Sequence, residues 1–220
     1  MVTKPHAERT TESADRTRSA LIDAAVRALA EVGFAKASAR EIAGRAGVNQ
    51  ALVFYHFGTV ADLLLAALDQ VSSARLQAYT ELIDGAASLT ALVDSAEAIF
   101  VADLDAGYVA VLVEMVNGAR PDPDLSEQVA ARLQPWLSVA TSAIERVQRL
   151  LPLPAPIPKA EAAHAVVAGF LGLELLAESG GGRDATLALF ARLRTWATWA
   201  DALATPRRIV FGTVHRHGQR

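Results

Sequence analysis

The sequence predicts an all-α protein, and three features carry that expectation. Just over half of the 220 residues are hydrophobic, Ala and Leu dominate, and aromatics make up only 6%, a mix that favours helix over sheet. Apolar residues recur at three- and four-residue spacing through most of the chain. The interruptions between these stretches are clusters of Gly and Pro, the residues that stop helices.

Taken in order, residues 1–15 are charged and hydroxyl-rich without periodicity and read as a flexible arm. From Arg16 a first helix begins, with Leu21, Ala24, Ala25, Ala28, Leu29 and Val32 on one face and Gly33 as its stop. Ser38 is placed as an N-cap for a short second helix over 39–46, whose apolar face is Ile42, Ala43 and Ala46. Gly47 supplies a left-handed turn, and Asn49 caps a third short helix ending near Tyr55. After Gly58, Thr59 and Asp62 form a capping box for a long fourth helix running into the low 80s.

Beyond that, breaks are expected at 85–88 and 105–107, and Arg120-Pro-Asp-Pro-Asp124 reads as a loop. A helix over about 125–151 contains Pro135, which predicts a kink or two shorter pieces. Four prolines in residues 151–158 make a non-helical connector. Two last helices, about 159–179 and 184–204, are split by three consecutive glycines, and a basic tail follows.

Composition excludes several function classes. There is no cysteine, so disulfides and thiolate metal sites are ruled out. The polar opening has no apolar signal-peptide core, and the longest apolar stretch, 162–177, contains His164 and Glu174 and is judged too short to span a bilayer. A cytoplasmic protein is expected. The net charge of −3 is unevenly distributed: residues 1–60 carry eight Lys/Arg against six Asp/Glu, the remainder thirteen against eighteen. The small basic excess lies in the segment with the three short-range helices.

Three helices within 60 residues, the second and third joined by a tight Gly turn, make a helix-turn-helix. The turn sets the third helix at a steep angle, so it can enter the major groove of DNA while the second lies across its mouth. Residues 20–68 resemble the DNA-binding region of TetR-family regulators. The matching pieces are Val32-Gly33-Phe34, Arg40-Glu41-Ile42-Ala43, Ala46-Gly47-Val48, Tyr55-His56-Phe57 and Leu63-Leu64, in order and at matching spacing.

The resemblance implies roles. Ser38 and Arg40 face phosphates and an edge base, which suits a helix N-terminus and a guanidinium. Asn49, Gln50, Ala51 and Leu52 open the recognition helix; Gln50 can bond adenine, and Ala51 or Leu52 can pack on a thymine methyl. Tyr55 and His56 match positions that touch the DNA backbone, with burial in the three-helix core as the alternative. Two departures stand out: Phe54 replaces a frequent Tyr, and Val60 replaces a usual Lys, which removes one phosphate contact.

For the rest of the chain, the resemblance implies a larger helical effector-binding and dimerisation domain, over 63–206 between a reader at 16–62 and the tail at 207–220. The last two helices carry more apolar surface than one core needs, including Leu175, Leu176, Leu189, Leu193, Trp196 and Trp199, and Gly169 and Gly172 permit close approach. Two such hairpins suit a four-helix dimer bundle. Candidate ligand-binding residues are Phe100, Tyr108, Val111, Leu112, Glu114, Met115, Trp136 and Phe170, on or near a helix at 108–116 that is apolar nearly all round. Glu114 and Glu174 are weighed against an exposed or salt-bridged role.

No metal or cofactor is expected, since no His/Asp/Glu cluster has ligand spacing. The expected function is a homodimeric, sequence-specific regulator, a repressor, whose operator binding responds to a small apolar or amphipathic molecule. The alternatives are a ligand-binding homologue that has lost DNA binding, and a small helical enzyme. Against an enzyme stand the missing phosphate loop and the lack of paired carboxylates or a Ser-His-Asp set.

Overall fold

The computed structural model describes residues 6–151, 157–178 and 181–204, and among these the regular structure is helical without strands. The order is α1 (His6–Val32), a 3₁₀ turn (Phe34–Lys36), α2 (Ala39–Ala46), α3 (Ala51–Phe57), α4 (Val60–Gly85), α5 (Leu89–Ala106), α6 (Tyr108–Ala119), α7 (Pro123–Ala131), α8 (Gln134–Leu150), α9 (Lys159–Glu178) and α10 (Gly182–Ala204). The expected connector over 151–158 and the tail at 207–220 lie largely or wholly outside the described residues.

The first helix starts earlier than its pattern suggests: the arm expected over 1–15 is helical from His6. A turn added to an existing helix needs no apolar face of its own, because propagation costs far less than nucleation. Side chains support the backbone here, with Arg16 Nε donating to Glu12 O at 3.2 Å and Thr17 Oγ1 to Ser13 O at 2.9 Å. Further along, Leu21, Ala24, Ala25, Ala28 and Leu29 are buried, and α1 packs on α2 and α4.

Caps set the short helices. Ser38 Oγ accepts from Glu41 N, and Gly47 ends α2 at φ +70°, a conformation that L side chains rarely adopt. The cap expected at Asn49 falls one residue later, on Gln50, whose side chain makes no capping hydrogen bond; Asn49 Oδ1 instead accepts from Ala51 N at 2.9 Å across it, and α3 runs on to Phe57. Thr59 Oγ1 accepts from Asp62 N at 3.0 Å while donating to its carboxylate at 2.7 Å. The loop expected over 120–124 is shorter, since Pro123 stands in the first turn of α7 and Asp122 caps it. Pro135 similarly sits at the start of α8, so the stretch divides into two helices rather than kinking.

Helix α4 belongs to both halves. Its first turns complete the reader core through Leu63, Leu64 and Leu68, and that core continues without a break into Val111, Met115 and Ala119 of α6 and Leu125 and Val129 of α7. The close approach of α6 to the reader depends on Gly118: a Cβ there would overlap the ring of Phe34. The body is closed by α5 against α10 and α8 against α9. Asp201 on α10 accepts from Leu89 N at 2.8 Å and Thr90 N at 2.9 Å, capping α5 from across the fold. Helix α9 is 20 residues, and an 18-residue window within it has a mean hydropathy of 1.5, so by length and composition alone it meets the measure of a membrane span. In the fold it packs against α8 and α10.

Candidate DNA interface and effector cavity

The outward face of the reader is built by α2 and α3. Ser38 and Arg40 are exposed at the start of α2 and share a shallow depression with Lys36 and Arg45. Arg45 is held in place by Glu31 at 2.6 Å and Glu41 at 2.7 Å, so Lys36 and Arg40 are the cations there with no ion pair among the described residues. Lys36 escapes motif reading because it precedes the helix cap. A helix N-terminus flanked by such cations suits a phosphate.

On α3, Val53 is buried in the reader core and Leu52 packs half-buried beside it. Gln50, Ala51, Phe54 and Tyr55 point out. Tyr55 is 78% exposed and Phe54 50%, which sets aside core burial as the reason for Tyr55. Its ring meets that of half-buried His56 edge-on at 5.0 Å, and Phe57 lies under the Arg18 guanidinium. Asn49 spends its side-chain oxygen on the Ala51 N–H just ahead of α3. Val60 is half-buried against the reader core at the start of α4.

Beyond the reader, α4, α5, α6, α8 and α9 line a cavity of about 210 Å³. Of the candidate ligand residues, Tyr108, Leu112, Trp136 and Phe170 line it. The other four do not. Phe100 is buried behind the wall, its ring against Phe170 and Phe190 at 6.4 and 5.5 Å. Val111 and Met115 turn toward the reader and are buried in its core. Glu114 accepts from Phe34 N at 2.8 Å and sits over Gly33, whose φ of +78° and tight contact leave no room for a side chain. The division runs mainly along the helix: Tyr108, Val109 and Leu112, in its first turns, line the cavity, while Glu114, Met115, Gly118 and Ala119 further on, together with Val111, meet the reader. One helix therefore forms a wall of the cavity and a seat for the reader.

The cavity holds a polar cluster that motif reading missed. Arg75 on α4 donates through Nε to Asp103 Oδ1 at 2.9 Å and to the Tyr79 hydroxyl at 3.0 Å, and pairs again with Asp103 through its terminal nitrogen. The Tyr79 hydroxyl donates to Asp103. Burial, and then the Asp103 hydrogen bond, raise the Tyr79 pKa above the usual phenol value. The guanidinium lies over Tyr108, Trp136 and Tyr79, 4.3, 5.2 and 5.6 Å from the ring centroids.

Glu174, expected to be exposed or salt-bridged, is 1% exposed on the cavity wall. Burial pushes its carboxyl up to about 9, and the neighbouring Asp103 adds to the shift through a hydrogen bond and its charge, so Glu174 is protonated at pH 7. The available signal was a charge at Asp103 and Glu174 on helix faces otherwise filled by Ile99, Phe100, Phe170 and Leu171.

Comparison with known proteins gives these features a family. Residues 21–67 match the model of the bacterial regulatory proteins of the tetR family. The uncharacterized HTH-type transcriptional regulator Rv2912c of Mycobacterium tuberculosis is 32% identical over 139 residues, which covers 63% of this chain and 69% of that one. The HTH-type transcriptional repressor Rv3405c of the same organism is 40% identical over 75 residues, 33% of this chain and 40% of the relative. Among solved structures, Salmonella enterica GusR superposes with a TM-score of 0.67 at 21% identity, covering 84% of this chain and 95% of its own. With its helix-turn-helix followed by a larger helical body, this chain belongs to the TetR family of bacterial DNA-binding transcriptional regulators.

Proposed function

We propose that the chain is a cytoplasmic, homodimeric repressor that reads an operator through α3 and is released from it by a small molecule held in the cavity of the body. The single observation that carries the switch is the double role of α6. Tyr108 and Leu112 line the cavity, while Val111, Glu114, Met115 and Gly118 on the same helix seat the reader. A ligand that shifts α6 or α4 changes the separation of the two recognition helices in a dimer, and DNA fixes the separation it accepts. Coupling of about 1–3 kcal/mol gives roughly 5–150-fold weaker operator binding, and operator must weaken ligand binding by the same factor.

The dimer reading rests on α9 and α10. Trp196 and Trp199 are 78% and 72% exposed, Leu176, Leu189, Leu193 and Leu203 are exposed beside them, and Gly169 and Gly172 face open space. An apolar face of this extent is what a partner copy covers. The repressor reading is supported by Rv3405c, whose name records that role.

Footprinting on the DNA upstream of its own gene at low salt tests the reader. Protection of a two-fold symmetric site is expected, and Gln50→Ala should relax the preference at one base per half-site by about 1–3 kcal/mol. A folded protein that protects no site, or a Gln50→Ala variant with unaltered preference at every position, would contradict the assignment.

A further inference from the structure

The far end of α3 carries a cation that belongs to another helix. Arg18, exposed on α1 just ahead of the buried Leu21, lays its guanidinium over the Phe57 ring, 5.0 Å from the centroid. Phe57 is the last residue of α3, half-buried and packed on the reader core, so the ring is a fixed platform. Stacking holds a guanidinium by one face and leaves its N–H edge free to donate. Among the described residues, no hydrogen bond or ion pair engages that edge.

We propose that Arg18 is an operator-binding residue, whose guanidinium, stacked on Phe57, donates to one backbone phosphate beside the end of α3 in each half-site. This rests on the reading of α3 as the operator helix. Phosphates run along both walls of the major groove, and the groups that meet them fix a reader in register. At the start of α2, Lys36 and Arg40 supply the charge for that. From Phe54 to Asp62, through the end of α3 and the first turn of α4, the chain has no Lys or Arg and contains the acidic Asp62. Tyr55, Gly58 and Thr59 are nevertheless exposed there. Arg18 brings to this end the full positive charge that its own residues lack.

The test is fluorescence anisotropy of the full chain on the duplex it selects from random-sequence DNA, between about 0.05 and 0.3 M salt. Arg18→Met keeps an unbranched apolar side chain against Phe57 and removes the charge. It should flatten the slope of log K against log salt by about 0.9 per subunit, about 1.8 for a dimer, and weaken binding about tenfold per half-site near 0.1 M salt. The selected sequence should stay the same, because a phosphate contact carries no base information. Arg18→Gln should behave alike and decides the matter if the Met variant misfolds. Arg18→Lys should keep most of the slope and lose part of the affinity, since an ammonium has no plane to stack. Arg27→Met removes an exposed cation of the same helix nine residues on, roughly 13 Å along its axis, and should change affinity by less than about twofold. An unchanged slope in both neutral Arg18 variants would overturn the contact while leaving α3 the reader. An equal loss from Arg27→Met would overturn it too, by assigning the effect to net charge. Folded wild-type protein that selects no duplex would overturn this inference and the operator reading together.

Discussion

Replacing Trp196 and Trp199 together by Glu is expected to leave a folded monomer that no longer binds its operator. Both rings project from α10 into open space, so neither change removes a core contact within the chain. In a two-fold interface each substitution acts twice. Each ring, at about 25 cal/mol per Å² over most of a 150–250 Å² side chain, contributes about 3–5 kcal/mol of burial. The four new carboxylates then face one another in the position of the former apolar seam. A monomer holds one half-site, so operator affinity should fall by about a thousandfold or more, toward its non-specific level. Light scattering reports the oligomeric state, circular dichroism the fold, and fluorescence anisotropy the affinity. A variant that stays dimeric with unchanged affinity would place the interface elsewhere.

Asp103→Ala is expected to cause the largest loss of stability from a single change. Asp103 is buried, and its removal strands the Arg75 guanidinium, takes the acceptor from the Tyr79 hydroxyl and deprives Glu174 of its partner. Breaking a buried ion pair by removing one member costs about 3–5 kcal/mol. At about 2–4 °C per kcal/mol for a chain of this size, the melting temperature should drop by about 10 °C. Removing both charges, as Arg75→Met with Asp103→Leu, should recover much of that loss, because the penalty lies in the unpaired charge and not in the missing pair. A single variant that melts within two degrees of the wild type would mean that water or movement of α4 relieves Arg75.

The two halves of the molecule differ in how far the sequence discloses them, and the difference is physical. The reader is specified by short-range signals: the Ser38 cap, the left-handed Gly47 and the Thr59–Asp62 pair all act within a few residues. Each can be recognised without knowing what packs against what. The start of α1 leaves no such trace, because residues 6–15 carry no apolar periodicity to read. In the body, the apolar character of α6 is plain, but an all-round apolar helix does not say which side faces which neighbour. In the fold Val111, Glu114 and Met115 meet the reader, and Tyr108, Val109 and Leu112 line the cavity. Arg75, Asp103 and Glu174 come from three helices and meet only through tertiary packing. No spacing rule connects them.

The central claim, that a symmetric pair of α3 helices reads a specific DNA sequence, is tested most directly by selecting binding sites from a random-sequence DNA pool with the purified protein. Enrichment of a palindrome is expected, with half-sites centred one or more helical turns apart, roughly 34 Å per turn, and no such enrichment by the Trp196→Glu, Trp199→Glu protein. A pool that emerges unenriched from folded wild-type protein, or that yields a single half-site without symmetry, would contradict it.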